Sequence, residues 1–489
     1  MTAKITTGLN TLVAKSFRDN LRDTTNDDEY YAFICFNNDS DLLRYTDSDA
    51  TNQTDEFIGG ITPQFGIDDQ TYYMQHAITA HKLAKGGVSR VVKRVNWVSG
   101  TTYKANSYVL VTAIIQGISR LNVYKVLHYP GIASSSSPSG DNSTPIISAD
   151  GYRWQYLYTI DASDSLKFLT KDYMPVPEQV LSSEAQELNP GTSRYKQFQV
   201  QRDSYVGGIY HISINDSDFE VWGRAQYGSW DLIPTTSTIT IQNATSTTPA
   251  TILAGTISKT ADSDFSFNLT TPGIGYAKGS IAKIGALLPK GLDVKVAPGL
   301  GHGTNSALEL NASNVMVTIR NTPDGEVTKF TKNNFRMINL IRNPIDRSTN
   351  KVAKNDFFVA CKSFIASDSD GGNASFNVGN VVATSAISGN NYHTTTGKVG
   401  RIVAVDTTKK QYYYVSLGKN KEKDSFSPAD NLQIVNASGA LTGNPLTVAS
   451  ISNREILFNS GDIIVADIRD TTTTRAVDQI ESFNFVLTF

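Results

Sequence analysis

Cysteine is almost absent, with two in 489 residues. Cys35 and Cys361 lie far apart and match no thiolate metal spacing, which excludes a disulfide framework and a cysteine-built zinc site. Each sits in an apolar run, FICF and FFVACKSF, so both are expected as small buried hydrophobes made in a reduced, cytosolic compartment. Histidine is scarce too. Of the six, His76 and His81 are five positions apart, which fits neither i,i+3 nor i,i+4 pairing, and no third ligand is near; no metal is expected. No charge of one sign predominates: 44 Lys and Arg face 46 Asp and Glu, a formal net charge of −2. General attraction to nucleic acid or to an anionic membrane is thereby excluded, and partners must be recognised by shape. Nor does any uninterrupted apolar run approach the roughly 18 residues of a membrane helix. The opening MTAKITTGLNTLVAKSFRDN lacks the apolar core of a signal peptide. No membrane insertion is expected, and the sequons at Asn215 and Asn436 carry no expectation of glycosylation.

What the chain does hold is Ser, Thr, Asn and Gly around short apolar segments. A hydrophobic share of 39% is enough for packed cores, and a chain this long ordinarily forms about two to four domains. STITIQN, NVMVTIRN and GDIIVADIRD alternate or carry β-branched runs, and GRIVAVDTTKKQYYYVSL reads as a hairpin turned by Thr-Thr-Lys-Lys. The expected fold class is mainly β: several domains of antiparallel sandwiches or barrels with a few short helices. Helix is expected in two places. DDQTYYMQHAITAHKLAKGG offers Asp69 as a cap, a stripe of Tyr73, Ala77, Ala80 and Ala84, and Gly86 as a stop; PEQVLSSEAQEL offers Pro177 and Glu178 for a first turn.

Composition breaks at ELNPGTSRY and RNPIDRSTNKVAKND divide the chain. The expected domains are a mainly-β N-terminal domain over 1–190 with a helix near 69–85, an inserted β domain over 191–295, a return to the core sheet over 296–350, and a barrel-like C-terminal region over 351–489. An echo between FNVGNVV at Phe376 and FNSGDII at Phe458 suits a small barrel, with Gly at a tight bend and Phe plugging an end. ESFNFVLTF alternates and reads as a closing strand.

The densest aromatic stretch is DGYRWQYLYTI, from Asp150 to Ile160. With a period of two, Tyr152, Trp154, Tyr156, Tyr158 and Ile160 share one face. The upstream RLNVYKVLHY alternates likewise, and the two are expected to pair. A stacking platform for sugar or nucleic acid would need exposed rings among several cations, and only Arg153 and Lys125 are near. The four rings are therefore expected in a core or an interface. Between the two strands, GIASSSSPSGDNSTP is too polar to bury much area. It is either a solvated tip or a contact loop presenting Ser134, Ser137, Asp141 and Asn142.

Catalytic signatures are missing. GLGHGTN is followed by no Lys-Ser/Thr pair, so it reads as a turn whose glycines take positive φ. No Gly-x-Ser-x-Gly elbow occurs. Two glycosidase carboxylates need only meet in space, but Asp68-Asp69 and TTNDDE read as caps and solvated turns. In HKLAKGGVSRVVKRVNW, valines interrupt the cations as in a strand with one solvated face. No catalytic, cofactor-binding or metal residue is assigned.

Several stretches in order resemble one family, the dimeric baseplate wedge subunit of T-even-like contractile-tailed phages. They are DDEYYAFICF; RVNWVSGTTYKANSY from Arg94; LNVYKVL and DGYRWQYLYTI around the polar loop; KFLTKDYMPV from Lys167; GLGHGTN; and NNFRMINLIRNP from Asn333 to Pro344. Together they span roughly residues 28 to 345. The chain runs on well past this region and is longer than familiar members. The resemblance implies a non-enzymatic virion protein of the tail baseplate, assembled in the host cytoplasm. It also implies a homodimer that meets the scaffolding wedge subunit and a peripheral trimer, and moves as a rigid body when the baseplate rearranges. Two other readings stay open: a receptor-binding or fibre-like virion protein, and a tail-associated polysaccharide hydrolase.

Overall fold

The computed structural model of the protein describes residues 6–35, 77–115, 118–185, 188–204, 207–228, 239–244, 251–253, 268–271, 273–297, 301–321, 337–367, 375–387, 397–417, 425–457, 460–468 and 481–489. The protein is mainly β, built from several antiparallel sheets and one closed barrel. It folds as two compact units, each drawn from separated parts of the chain. One comprises 1–20, 89–316 and 486–489; the other comprises 21–88 and 317–485.

The first unit is organised by a four-stranded sheet ordered Tyr108–Ile115, Ile118–His128, Arg153–Ile160 and Ile146–Ile147. The expected pairing of the two alternating stretches is present, antiparallel from Leu121 opposite Ile160 to His128 opposite Arg153. The expected single aromatic face is not. Val123 faces Tyr158 and the next residue, Tyr124, faces Tyr156, so Leu157 is the extra residue of a β-bulge. The bulge reverses the alternation. Tyr152, Trp154 and Tyr156 pack with Tyr103, Val109, Tyr124, Val126 and Val200, whereas Leu157, Tyr158 and Ile160 pack with Val92, Leu110, Val123, Met174 and Val176. Both faces of the strand are buried.

Beyond this sheet lies a lobe between residues 207 and 297. The strands Ile209–Ile214 and Leu292–Val296 pair, as do Ile239–Ala244 and Tyr276–Ile284. Phe219 and Trp222 of the helix Asp216–Tyr227 stack at 5.5 Å and enter the same core as Ile212, Ile239, Ala282 and Val294. The segment 191–295, expected as an inserted β domain, is less purely β than its composition suggests, since it holds the helices Ser193–Arg202 and Asp216–Tyr227. Both helices carry legible signals. Thr192 and Asn215 cap them by accepting from the Tyr195 and Asp218 amides, and Gly228 closes the second at φ 81°. The helix Thr7–Arg22 was likewise unassigned; it buries Thr11, Ala14 and Leu21 along one stripe.

In the second unit, five strands align in the order Phe357–Val359, Ala77–Lys82, Tyr30–Cys35, Met337–Arg342 and Asp462–Ile468. Here the expectation of a helix near 69–85 fails: Ala77–Lys82 is a strand buried over its first five residues, and residues 69–76 lie outside those described. Small residues on both sides of a doubly covered strand leave the spacing of a helical stripe by coincidence, and burial between neighbours overrides propensity. The helix expected at PEQVLSSEAQEL shrinks to one turn, Ser182–Ala185.

The barrel closes between Lys362 and Ser452, in the order Lys362–Ala366, Gln411–Ser416, Val399–Asp406, Val381–Ala383, Asn431–Val435 and Leu441–Ser452. The expected Thr-Thr-Lys-Lys hairpin is one of its pairs. Phe364, Tyr412, Tyr414, Phe426 and Phe376 fill it, so one member of the Phe-Asn-x-Gly echo lies in the barrel core; Phe458 lies outside the described residues. Gly400 is required by packing: a Cβ there would stand 2.7 Å from Tyr414 Cδ2 and 3.1 Å from the Phe426 ring.

Candidate functional site

The sequence singled out the aromatic strand and its polar loop, and the structure joins them into one fastened assembly. Tyr152, Trp154, Tyr156 and Tyr158 are fully buried. Burying a phenol or indole is favourable only when its polar tip is satisfied. Tyr152 OH donates to the Ile132 carbonyl at 2.7 Å, Trp154 Nε1 to Ser148 Oγ at 3.1 Å, and Tyr158 OH to the Pro175 carbonyl at 3.1 Å. Thr159 Oγ1 donates to Asn122 Oδ1 at 2.7 Å, which directs the Tyr156 hydroxyl proton to Thr159 at 2.8 Å. Asn122 Nδ2 in turn reaches Tyr124 OH, and that hydroxyl donates to the Gly140 carbonyl at 2.6 Å. A buried polar chain thus runs from the centre of the sheet into the loop.

The loop, expected as a solvated tip or a contact loop, is fastened to its own unit at several points. Asp150, in the turn before the aromatic strand, accepts from Ser134 Oγ at 2.9 Å, Ser135 N at 2.8 Å, Ser136 N at 2.9 Å and Ser148 Oγ. Burial would raise this carboxyl, but the four hydrogen bonds together hold it down at about 2. Ser134 is fully buried and also takes the Trp97 indole N–H. Asp141 lies 3.7 Å from Lys196 and 4.0 Å from Arg120, Ser143 donates to Asp203, and Gln155 donates to the Ser143 carbonyl. Of the four loop residues named from sequence, Ser134 and Asp141 are engaged within this unit, Ser137 is half-buried and Asn142 is exposed. The serine content that reads as disorder supplies donors for one aspartate.

A second ionic cluster was not foreseen. Lys125, on the strand Ile118–His128, points at Glu309 with Nζ 3.2 Å from Oε1; their side chains are 7% and 4% exposed. Glu309 also accepts from Gly303 N at 2.7 Å and meets His302 Nδ1. Burial raises its carboxyl, but the hydrogen bond and charge of His302, then Lys125 and the Gly303 amide, bring it below the usual range. Two glycines of the turn are as expected, Gly301 and Gly303 at φ of 86° and 85°, while Gly299 lies outside the described residues; a Cβ on Gly303 would collide with Val200. The turn presents an amide and an imidazole to an internal carboxylate. The missed signal was Lys125 between the apolar neighbours Tyr124 and Val126, where a buried charge demands a partner.

Other candidates fall into structural roles. Arg90, within the basic stretch, is 2% exposed and forms a two-pronged pair with Glu178 at 2.7 and 2.5 Å, so its side of that strand is not solvated. Glu178 thereby leaves its expected helical turn for an ion pair. Cys35 and Cys361 are free and buried, and burial raises both thiols, that of Cys361 to about 12. His81 is buried edge-on to Phe357 and pushed down to about 4 by burial; His76 and Asp68-Asp69 lie outside the described residues. Asp28 and Glu29 engage Asn343 and Lys82. A shallow crevice open to solvent is lined by Asp161, Asp164, Arg194 and Gln197. The Asp161 carboxyl is raised by burial and by Asp164, and it accepts from Ser193. Among the described residues, no three His, Cys, Asp or Glu gather to hold a metal ion, and no helix is long and apolar enough to cross a membrane. Compared with known proteins, the chain matches no family model and no curated sequence.

Proposed function

We propose that this protein is a structural subunit of the baseplate wedge of a contractile phage tail, a homodimer that transmits baseplate rearrangement by moving as a rigid body. The observation that carries the reading is the use made of the segments on which the family resemblance rests. LNVYKVL, DGYRWQYLYTI and GLGHGTN supply rings of the aromatic core, the Asp150 of the clamp, and the Lys125 and His302 that meet Glu309. Their ionisable and aromatic groups stiffen one body, as suits a part that must rotate while its contacts exchange.

In this role two copies meet through a two-fold, self-complementary patch, and a permanent pair buries upward of about 2,000 Å². Other surfaces meet the scaffolding wedge subunit and the peripheral trimer. Light scattering of the purified chain tests the reading: a stable species near twice 53.2 kDa that co-assembles with other wedge proteins is expected. A trimer that binds sugar would replace it with a receptor-binding or fibre-like role. Cleavage of cell-wall or capsule polysaccharide that vanishes in Asp161→Asn would replace it with a hydrolase.

A further inference from the structure

Where the lobe of residues 207–297 meets the aromatic sheet, two histidines lie ring on ring. His128 ends the strand Ile118–His128 and His211 lies in Ile209–Ile214; their centroids are 3.7 Å apart and their planes 33° from parallel. Arg153, opposite His128 in the sheet, donates through Nη1 to the Tyr210 carbonyl at 3.3 Å, so a guanidinium crosses the same seam. From the strand Leu292–Val296, Lys295 stands opposite His211, and nearby Asp293 is paired with that lysine. Tyr210 meets His302 edge-on at 4.8 Å, and the Glu309 beyond is held by His302 and Lys125. The groups facing the two rings are thus mainly cationic, and the neighbouring carboxylates are already engaged.

We propose that the His128–His211 pair is an acid-released latch: protonating either ring places a new cation against Arg153 and the other imidazole, and the lobe undocks from the sheet, freeing its strand pair Ile209–Ile214 and Leu292–Val296 to open. Neutral imidazoles stack in this half-buried seam without charge repulsion, whereas an imidazolium there loses part of its hydration and is met by Arg153 rather than by an anion. Burial, then Arg153, holds His128 down at about 4; burial, then His128, Arg153 and Lys295, holds His211 at about 2. Both lie below the ordinary 6.5, so docking is at full strength above that pH and weakens as pH falls toward 4. In that window the undocked lobe binds protons that the docked lobe refuses. Each histidine then raises the opening constant up to about tenfold per pH unit, and the two together up to about a hundredfold. This inference does not depend on the wedge role.

The test is hydrogen exchange on the full chain between pH 7 and 4.5, corrected for intrinsic exchange rates. Amides of Ile209–Ile214 and Leu292–Val296 report the lobe, and those of the barrel strands Gln411–Ser416 and Val399–Asp406 serve as the control. The expected result is a lobe opening constant that climbs more than tenfold per pH unit below about 6 while the barrel stays protected. His211→Gln should reduce the slope to at most tenfold per unit, and H128Q/H211Q should flatten it. Lobe opening independent of pH in the unsubstituted chain would overturn the latch, as would barrel amides opening with the same slope. A slope that persists in the double variant would assign the effect to other groups and overturn it too. Should the variants fail to fold, the ring protons of His128 and His211 followed by NMR in the unsubstituted chain decide the matter: they must titrate in the window where the lobe opens, and titration outside it overturns the latch.

Discussion

At the scale of single residues, the protein places charge where hydrophobic side chains would be easier to bury, and Lys125–Glu309 and Arg90–Glu178 do so as ion pairs. Lys125 and Glu309 illustrate the risk. Removing one partner of a buried pair strands the other charge without water, so Lys125→Met should lower unfolding stability by about 3–5 kcal/mol in a denaturant titration. Replacing both partners with apolar residues should cost less than that single change. Asp150 is the exposed-side counterpart. Its carboxyl sits below the ordinary 3.8, so its contribution to stability is present above that pH and is lost as pH falls toward about 2. The thermal midpoint of the unsubstituted chain should accordingly drop more between pH 5 and 2 than that of Asp150→Asn. An equal drop in both would show that the serine cage does not favour the charged form.

At the scale of elements, the polar loop and the barrel make opposite demands on small residues. The loop 131–145 satisfies Asp150 and Trp97 through Ser134 and Tyr124 through the Gly140 carbonyl, so deleting Ser134 to Asn142 strips partners from these groups. Loss of near-ultraviolet circular dichroism and a lower melting temperature are expected; a deletion variant as stable as the parent would show the loop to be dispensable. In the barrel, Gly400 leaves room for the Tyr414 and Phe426 rings, and Gly400→Ala should cost about 1–3 kcal/mol by overpacking, read from the denaturant midpoint. Element legibility followed the same division. The barrel hairpin and the pairing of the two aromatic-rich strands were readable because β-branched and aromatic alternation is local. The strand Ala77–Lys82 was not, because its composition suits a helix until both of its faces are covered.

At the scale of the whole molecule, each compact unit is assembled from discontinuous chain segments. Breaks in composition mark where the chain meets water, whereas units are defined by which distant strands pair, as Tyr30–Cys35 does with Met337–Arg342. The prediction at this scale concerns mass. A wedge subunit that works as a permanent dimer should keep a mass near twice 53.2 kDa on dilution through the micromolar range. A strict monomer would confine dimerisation to the assembled wedge, and a trimer would remove the wedge reading.

The sequence by itself determined the β class, the two buried thiols, the pairing of the aromatic stretch with its upstream neighbour and the positive-φ glycine turn, since each depends on near neighbours and on the period of a strand. Only the tertiary structure decided that a bulge at Leu157 divides the aromatic rings between two cores, that Glu178 answers Arg90, that Glu309 answers Lys125 and that His128 lies on His211. The reason is physical. Local pattern fixes which side chains want burial, but these three pairs join residues 83 or more positions apart in the chain, so their partners are whatever the fold brings to them.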